Sequence, residues 1–523
     1  MGLFDWSIII AYLSGMIGLS VYLGRSQSDQ DDYYVGGRKL PWWAIGISTM
    51  ATQTSAISFI SIPAFVALRE GGGLTWLQYE LAVPLAMIVV MVFLIPFFRR
   101  LELVSVYAYL EARFDRRVRL FVSGVFLLSR GLATGVGVYA SAIVLQVGLG
   151  IPLWATILII GIVTIIYDTI GGMTAVVYSD VIQMVILVGG LLLCVVYAAA
   201  EVGGMAAIFE TLDGDRLRTF DMTTGINDGG QVPFWAFLFG GLFLYASYYG
   251  TDQSQVQRQL SASSVDAARR ALMFNGFARF PLTLLYILLG MAAGAVFVAS
   301  PSLQAAVPSD QLDYLIPQFI LLQLPPGIRA VLFAALLAAA MSSLDSALNS
   351  LSASTMRDFI GDRIQGEAAI FRWSKITTVI WGVVITAFAF VVGDISATVI
   401  EGINKIGSAF YGPILAAFLV GILTKRATSL GVIMGILAGV GTNIIFWLFA
   451  PGIYWMWWNL IGCAITLGVT MLVRNTPTTE VDPKLLYAGQ TNATDPAWRK
   501  AYLGLVGYFV LMLIIMAAIQ WAI

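Results

Sequence analysis

Apolar stretches long enough to cross a lipid bilayer recur along almost the whole chain, separated by short polar segments. A crossing takes roughly 20 apolar residues, and by that measure the sequence predicts fourteen spans. Hydrocarbon offers no water to backbone N–H and C=O groups, so each span must satisfy them internally, and a helix does so. The predicted spans cover residues 5–24, 42–67, 75–97, 118–147, 151–170, 176–200, 233–250, 272–298, 327–355, 373–393, 397–424, 428–449, 453–473 and 500–522.

The composition agrees with a membrane protein. Hydrophobic residues make up 59% of the 523 and charged residues 11%, which is too apolar for a soluble protein of this length. The net charge of −1 gives no indication of nucleic-acid binding. Cys194 and Cys463 lie in apolar stretches and predict neither a disulfide framework nor a cysteine metal site. We therefore predict an all-α polytopic membrane protein whose first apolar segment is a retained helix.

Histidine is absent from the sequence. Its absence excludes imidazole metal sites, Ser-His and Cys-His catalysis and histidine proton relays. No Walker A motif is present, so direct coupling to ATP is not expected. An intramembrane enzyme would have only carboxylate pairs to work with, and we expect neither enzymatic activity nor an organic cofactor.

Lysine and arginine residues set the expected orientation, because cytoplasmic loops carry the excess of basic residues. Most of the 29 fall in alternate loops, including the predicted loop that holds Arg258, whereas the opposite loops hold Arg69, Arg216, Arg218 and Arg329. This bias predicts a plasma (inner) membrane protein with both termini on the outer face. We expect a single membrane transport domain, 1–523, made of an extra helix and loop (1–41), two repeats (42–200 and 233–424) and C-terminal helices (428–523).

A polar stripe crosses the ninth predicted span. Ser342, Asp345, Ser346 and Asn349 are spaced i, i+3, i+4 and i+7, so on a helix they share one face. Leaving hydroxyls and a carboxylate in hydrocarbon without partners costs several kcal/mol. The face should therefore contact protein or a water-filled site. A set of oxygen ligands without nitrogen or sulfur suits a hard cation.

Two spans carry residues that interrupt helices. In the second span, residues 48–61 are crowded with Ser, Thr and Gln ahead of Pro63, and such side chains compete with backbone hydrogen bonds. The seventh span has a glycine- and hydroxyl-rich centre within 240–253. Two interrupted spans, five apart, predict a five-plus-five inverted-repeat transporter with its site at the bilayer midplane. Close packing of helices through small residues is the alternative explanation.

Charged residues inside predicted spans are candidates for function. Asp180 lies one turn inside the sixth span, where an unpaired carboxylate costs about 2.5–3.5 kcal/mol, so a cation or a basic partner is expected. Asp168 is interpreted as an interfacial loop residue. Arg130 and Arg279 could each extend to an interface, pair with a buried carboxylate such as Glu80, or bind an anionic or hydroxyl-bearing solute.

Five motifs follow one another along the chain up to about residue 426. They are Y-Y-V-G-G-R (33–38), V-Y-A-Y-L-E-A-R-F-D (106–115), G-G-M-T-A-V-V-Y-S-D-V-I-Q (171–183), T-D-Q-S-Q-V-Q-R (251–258) and M-S-S-L-D-S-A-L-N-S (341–350). In this order they resemble the sodium:solute symporter family, which includes sodium/glucose, sodium/proline and sodium/sialate transporters. The resemblance implies a LeuT-like core with extra helices at both ends. It also implies sodium-coupled import of a small polar organic solute, a sugar, polyol or carboxylate, by alternating access.

The resemblance also implies positions for sodium, the coupling ion. The main sodium site would use the carbonyl oxygens of Ala51, Thr54 and Ala339 and the hydroxyls of Ser342 and Ser343. A second sodium site, described in some members of the family, would use Asp180, Ser342, Asp345 and Ser346. Asp345 replaces a serine of the sialate carriers and adds a negative charge.

Solute contacts follow from the same resemblance. Family positions on the second core helix, on the seventh helix of sugar carriers and at the stacking aromatic match Glu80, Arg279 and Tyr248. The carboxylate-binding arginine of sialate carriers falls on Ala133, and Arg130 lies three residues earlier on the same helical face as a displaced anion contact. The full candidate set is Gln53, Ser55, Ser58, Trp76, Glu80, Arg130, Tyr245, Tyr248, Arg279 and Asn404.

Two other mechanisms stay open on the sequence. The transporter would be coupled to protons if Asp180 or Asp345 carried them, and a passive channel would expose rings of oxygen ligands along a pore. In the sodium-coupled interpretation the expected partners are one or two sodium ions, a small solute and the lipid bilayer. A functional monomer is expected, without nucleic acid.

Overall fold

The computed structural model describes residues 2–25, 27–391, 399–473, 481–487 and 496–522, with the backbone alone at 144, 362, 399–403 and 522. This part of the chain is helical and contains no β-strand. Its α-helices are α1 (Leu3–Gly24), α2 (Gln30–Val35), α3 (Trp42–Gln53), α4 (Ala56–Leu68), α5 (Val83–Val89), α6 (Ile95–Arg100), α7 (Ala108–Arg113), α8 (Arg116–Leu149), α9 (Leu153–Glu201), α10 (Met205–Thr211), α11 (Gly241–Thr251), α12 (Gln253–Leu260), α13 (Val265–Ala299), α14 (Pro301–Ala306), α15 (Leu315–Gln323), α16 (Ile328–Ser354), α17 (Glu367–Ala389), α18 (Val399–Leu423), α19 (Ser429–Phe449), α20 (Trp457–Leu472) and α21 (Arg499–Ala522). Short 3₁₀ or π segments include Leu74–Glu80, Val90–Leu94, Ala236–Gly240 and Thr355–Ile360.

The all-helical membrane fold is confirmed, but the count of fourteen spans is not. Among the described residues, ten helices are long and apolar enough to cross a membrane, and α3 with α4 forms one further, bent span. The predicted spans 151–170 and 176–200 lie together in α9, which has 49 residues. The predicted spans 233–250 and 453–473 contain short helices, α11 with 11 residues and α20 with 16. The predicted span ends at 392–393 and 397–398 lie outside the described residues.

The interruption predicted in the second span is present. The axes of α3 and α4 differ by 56°. Between them Thr54 has φ −93° and ψ 80°, and Ser55 is extended. The hydroxyl of Ser55 caps α4 by accepting the N–H of Ser58 at 3.4 Å, as serine does at helix starts. The N–H of Thr54 donates to the carbonyl oxygens of Ala51 and Met50 at 2.9 and 3.1 Å, and each carbonyl oxygen keeps a second lone pair for another partner.

The interruption near the seventh span lies at the C-terminal edge of the stretch 240–253, at Asp252. The glycine- and hydroxyl-rich centre of this span is helical in α11, because the Thr251 hydroxyl bonds back to the Ser247 carbonyl at 2.9 Å without unwinding the helix. The chain leaves the helix at Asp252, with φ −78° and ψ 122°. The Asp252 carboxylate then accepts the N–H of Ser254 at 2.8 Å and starts α12.

Helix α9 changes direction at Gly172, where φ is +52° and ψ −159°. A Cβ at this position would lie 2.7 Å from the carbonyl oxygen of Tyr33, so both the backbone angles and the close approach of α2 require glycine. The interpretation of Asp168 as an interfacial loop residue is wrong: it lies in α9 and is fully buried. Asp168 is near the end of the predicted span 151–170, and sequence hydropathy does not distinguish a buried position there from an interfacial one.

The polar stripe of α16 faces protein, as predicted. Ser342, Asp345, Ser346 and Asn349 are each no more than 1% exposed. The packing of α16 against α9, α8 and α3 covers the stripe. Its polar groups therefore find partners inside the bundle instead of in lipid.

Candidate ion and solute site

A cavity of about 160 Å³ lies beside the break between α3 and α4. Its walls come from the break, the 3₁₀ segment Leu74–Glu80, α8, α11, α13, α16 and α18. The polar lining residues are Thr52, Gln53, Ser55, Ser58, Tyr79, Glu80, Arg130, Thr134, Ser141, Tyr248, Arg279, Ser343, Asn404 and Tyr411. One polar chamber in an apolar bundle is the arrangement expected of a solute-binding site.

Most of the predicted solute-binding residues line this cavity, namely Gln53, Ser55, Ser58, Glu80, Arg130, Tyr248, Arg279 and Asn404. The other two, Trp76 and Tyr245, lie behind Tyr79. The Trp76 ring stacks on the Tyr79 ring with centroids 5.2 Å apart, and the Tyr245 hydroxyl donates to the Tyr79 carbonyl at 3.0 Å. Trp76 and Tyr245 therefore position Tyr79, whose hydroxyl donates to Asn404 Oδ1 at 3.2 Å.

Arg279 and Glu80 form a buried ion pair in the cavity wall. Arg279 Nη2 lies 2.7 Å from Glu80 Oε1, and Arg279 Nε lies 3.3 Å from Oε2. The Thr283 hydroxyl donates to Oε1 at 2.9 Å, and Arg279 Nη1 donates to Thr54 Oγ1 at 3.3 Å. The pair is electrically balanced and joins α13 to the α3–α4 break. The sequence left three alternatives for Arg279: extension to an interface, a carboxylate partner or solute binding. In the structure Arg279 pairs with the carboxylate of Glu80.

Arg130 is held more loosely. Its Nη1 lies 3.8 Å from Asp252 Oδ2, too far for a hydrogen bond, and the guanidinium carbon lies 5.8 Å from the Tyr248 ring centroid. Asp252 uses its other oxygen to cap α12. The Arg130 Nε atom is buried and has no hydrogen-bond partner within the described part of the chain. Arg130 thus brings a cation and an unused donor to the cavity.

The residues of the predicted main sodium site lie on the two elements that meet at the cavity. Ala51 and Thr54 end α3, and Ala339, Ser342 and Ser343 lie on α16. The two elements touch where the hydroxyls of Thr52 and Ser346 lie 3.2 Å apart. Ser343 lines the cavity, and its hydroxyl is 3.3 Å from the Ala339 carbonyl oxygen.

The residues of the predicted second sodium site lie in a buried network. Ser342 donates to Asp180 Oδ1, and Ser48 donates to Asp180 Oδ2 at 2.5 Å. Asp345 accepts hydrogen bonds from the Tyr167 hydroxyl and, at 3.2 Å, from Ser346. The basic partner that buried Asp180 requires is Arg258, at 3.0 Å.

Sequence reasoning missed two parts of the site. Arg258 counted as a loop residue, whereas it belongs to α12, a helix buried along its whole length. The position of Arg258 at the end of the T-D-Q-S-Q-V-Q-R motif was the sequence signal that could have identified it as a candidate site residue. Tyr79, Thr134, Ser141 and Tyr411 also line the cavity, and no local pattern singles them out, because they come from three separate elements.

A helical bundle with a broken span beside a central polar cavity defines a membrane transporter. Residues 33–439 match the sodium:solute symporter family, and the chain belongs to that family. It is similar to the sodium/sialic acid symporter SiaT of Proteus mirabilis, 30% identical over 84% of this chain and 88% of the relative. It also resembles the human sodium-coupled monocarboxylate transporter 1, 29% identical over 83% and 71%, and the human sodium/iodide cotransporter, 28% identical over 85% and 69%.

Solved structures agree with this assignment. A Na⁺-coupled sialic acid symporter in a substrate-bound outward-open state has a TM-score of 0.80 and 28% identity, covering 90% of this chain and 97% of that one. The nucleobase-cation symporter Mhp1, with a TM-score of 0.53 and 12% identity, shares the fold. This chain is therefore a multi-pass, LeuT-like, sodium-coupled symporter of a small solute, and a transporter, not an enzyme.

Proposed function

We propose that this protein imports a small carboxylate-bearing solute together with sodium, and that Arg130 binds the carboxylate. One observation carries the proposal: the α3–α4 break, Ser343 of α16 and Arg130 of α8 all line the same cavity. An ion bound between the break and α16 would therefore lie beside a solute bound at Arg130. Binding of the ion would therefore change the binding free energy of the solute, and the reverse, through the cavity wall that they share.

For sodium, we propose the site made by Ala51, Thr54, Ala339, Ser342 and Ser343. At the break the Ala51 carbonyl oxygen accepts the Thr54 N–H at 2.9 Å and keeps a second lone pair, and the hydroxyls of α16 complete a set of hard oxygen ligands. If sodium binds more tightly to one arrangement of α3, α4 and α16, it shifts the conformational equilibrium of the transporter toward that arrangement. Sodium and solute then raise each other's affinity by the same factor.

The charges of the cavity support an anionic solute. The ion pair of Arg279 and Glu80 is internally neutralised and offers hydrogen bonds without net charge. Arg130 is the better anion contact, because its carboxylate partner is 3.8 Å away and its Nε has no acceptor among the described residues. A carboxylate accepts two parallel hydrogen bonds from a guanidinium. The names of the relatives, a sialic acid symporter, monocarboxylate transporters and an iodide cotransporter, all refer to anions.

Purified protein in proteoliposomes tests coupling and solute class together. A thermal-shift screen of lactate, pyruvate and sialic acid against glucose and sorbitol, with and without sodium, should give the largest shift for a carboxylate in sodium. Uptake of that carboxylate should follow an imposed sodium gradient and not an imposed proton gradient. Uptake driven by protons alone would overturn sodium coupling, and sodium-dependent shifts confined to neutral solutes would overturn the role of Arg130.

Matched variants separate the two sites. Arg130→Gln should abolish carboxylate binding, whereas Arg117→Gln, on the exposed part of the same helix, should leave it unchanged. Ser343→Ala should shift sodium activation to higher concentration. Ser350→Ala removes a buried hydroxyl of α16 that bonds within the helix at 2.9 Å and lies away from the cavity. This control variant should leave sodium activation unchanged.

We also infer that both termini lie on the outer face and that residues 1–523 form one monomeric transport domain. The bias of basic residues toward alternate loops supports the orientation. Both native cysteines are buried. Labelling by a maleimide therefore measures the accessibility of the introduced cysteine. An impermeant maleimide applied to cells should label Asp215→Cys, in the loop near 201–232, and should not label Lys425→Cys. The reverse pattern would refute the orientation. Light scattering of the purified protein measures the oligomeric state.

A further inference from the structure

We propose that the buried carboxyl of Asp168 is a proton-binding site, and that this proton and sodium weaken each other's binding. Such a site depends on the sodium coupling of the transporter and not on the identity of the solute proposed above. Asp168 belongs to neither of the predicted sodium sites and does not line the solute cavity.

Asp168 is a buried carboxylate without a donor. It lies on α9, four residues before the change of direction at Gly172, and is fully buried. Neither of its carboxylate oxygens accepts a hydrogen bond within the described part of the chain. The amide of Asn349 on α16 faces it. The Oδ1 atom of that amide accepts a hydrogen bond from Gln257 at 2.6 Å, but its Nδ2 atom is left without a partner among the same residues.

Two other fully buried carboxylates lie in the same network, and both are better stabilised. Asp180 has Arg258 as its counter-ion at 3.0 Å and accepts hydrogen bonds from two serine hydroxyls. Asp345 accepts hydrogen bonds from a tyrosine and a serine hydroxyl. Hydrogen bonds and counter-ions favour the ionised form of a carboxyl group. Of the three carboxyl groups, Asp168 is therefore the one in which a negative charge is least stabilised.

The charges around Asp168 do not compensate it. Asp168 interacts electrostatically with Arg258, Asp180 and Asp345, so three carboxylates share one guanidinium. The helix α3, which also packs on α9, contains no titratable side chain. The remaining titratable groups on this side of α9 are Tyr167 of α9 itself, Tyr12 of α1, Tyr33 and Tyr34 of α2, and Lys375 of α17, whose Nζ lies 5.9 Å from the centroid of the Tyr33 ring.

A proton is the cation that fits this position. An ionised carboxylate without donors in an apolar interior is so costly that the group becomes neutral instead. Among the residues that the structure describes, no three acidic, cysteine or histidine side chains converge on a metal ion, whereas a proton needs one carboxylate oxygen. Asp168 is thus a protonated carboxyl group in the arrangement that the structure shows.

Sodium and the proton on Asp168 influence each other through the network. Sodium bound at the proposed main site would share it, because Ser342, one of the proposed ligands, donates to Asp180. Charges inside a protein interact more strongly than charges in water. An ionised Asp168 therefore stabilises sodium, and sodium promotes the loss of the proton, by the same factor in both directions.

Thermal unfolding of the sodium-free protein in detergent tests the protonated state by itself. Asp168→Asn replaces a neutral carboxyl by a neutral amide and should leave the thermal midpoint unchanged or raise it. The matched control is Asp358, also a buried aspartate, which accepts hydrogen bonds from Arg119 at 2.8 Å and from two serine hydroxyls. Asp358→Asn removes the counter-ion of Arg119 and should lower the midpoint. A comparable fall in Asp168→Asn would show that Asp168 is ionised and would overturn the proposal.

Proton release on sodium binding tests the coupling. Sodium chloride is added to purified protein in weakly buffered detergent with a pH-indicator dye near neutral pH, and choline chloride controls for ionic strength. The wild type and Asp358→Asn should release protons, whereas Asp168→Asn should not. The absence of release from the wild type would overturn the proposal even if no variant folds. Release that is unchanged in folded Asp168→Asn would place the proton elsewhere and overturn it as well.

The pH dependence of sodium binding gives the size of the effect. The sodium concentration for half-maximal thermal stabilisation of the wild type should rise as pH falls, by up to about tenfold per pH unit, the limit for displacement of one proton. Asp168→Asn should need more sodium at high pH and show a flatter profile, and a profile parallel to that of the wild type would contradict the proposal. These measurements contain no solute, so they decide the role of Asp168 independently of whether sodium-dependent carboxylate uptake is found.

Discussion

Glu80→Gln removes the negative half of the ion pair in the cavity wall. Glu80 and Arg279 are 1% and 6% exposed, and their closest contact is 2.7 Å. The glutamine has the same length and can still accept one hydrogen bond, but the charge of Arg279 loses its counter-ion. We expect lower stability and, because Arg279 then adds a net positive charge to the cavity, tighter binding of a carboxylate.

The size of the stability loss follows from the burial. Removing one partner of a buried ion pair costs about 3–5 kcal/mol. Unfolding entropy of roughly 2.1 cal/mol/K per residue, applied to 523 residues, gives about 1.1 kcal/mol/K. The thermal midpoint should then fall by at least ~3 °C, and by more if unfolding in detergent is incomplete and its entropy smaller. The double variant Glu80→Gln/Arg279→Gln leaves no charge unpaired and should lose less than the sum of the single variants.

The assay is thermal unfolding of the detergent-purified single and double variants, with an exposed pair as the control. Arg357 and Asp31 are 2.8 Å apart, close to the 2.7 Å of the buried pair, but their side chains are 36% and 48% exposed. Asp31→Asn should therefore cost less than about 1 kcal/mol. Additive losses in the Glu80 and Arg279 variants, or a loss no larger than that of Asp31→Asn, would refute the reasoning.

Three further predictions concern other parts of the chain. Gly172→Ala should lower the thermal midpoint by a strain of about 1–3 kcal/mol, because the new Cβ would lie 2.7 Å from the Tyr33 carbonyl oxygen; an unchanged midpoint would contradict this. Asp252→Asn keeps the helix cap but removes the charge near Arg130, so the thermal shift caused by lactate should grow, whereas Asp252→Ala should also lose about 1 kcal/mol of stability. A hydrogen bond from the side chain of Thr224 lowers the pKa of Asp228. Its stabilising effect is complete above the unfolded pKa of about 3.9 and is lost as pH falls through the lower folded value. The protection factors of amides in this loop, corrected for the pH dependence of intrinsic exchange, should therefore fall in acid, and Asp228→Asn should remove that step.

The break between α3 and α4 shows what local sequence can predict. Hydroxyl side chains near Thr54 and Ser55 satisfy helix ends by themselves, so their density marks the interruption without any knowledge of the neighbours. The same reasoning marked the stretch 240–253 of the seventh span but did not identify the residue at which the helix ends. There the Thr251 hydroxyl bonds within its own helix, and Asp252, a capping residue, ends the helix instead.

The charged residues show where local sequence fails. Arg258 pairs with Asp180 across 78 positions, and Arg279 pairs with Glu80 across 199. A hydropathy pattern indicates that each buried charge needs a partner, but it does not identify the partner. The choice depends on how α9, α12, α13 and α16 pack.

The sequence alone determined that the chain is a helical membrane protein, because hydrocarbon leaves apolar segments of this length almost no other structure. Its ordered motifs determined the family. Only the tertiary structure decided that Arg279 is neutralised by Glu80 while Arg130 keeps an unused donor, and that Arg258 pairs with Asp180. The physical reason is that burial and charge pairing depend on contacts between distant helices, whereas hydropathy and helix capping act over a few residues.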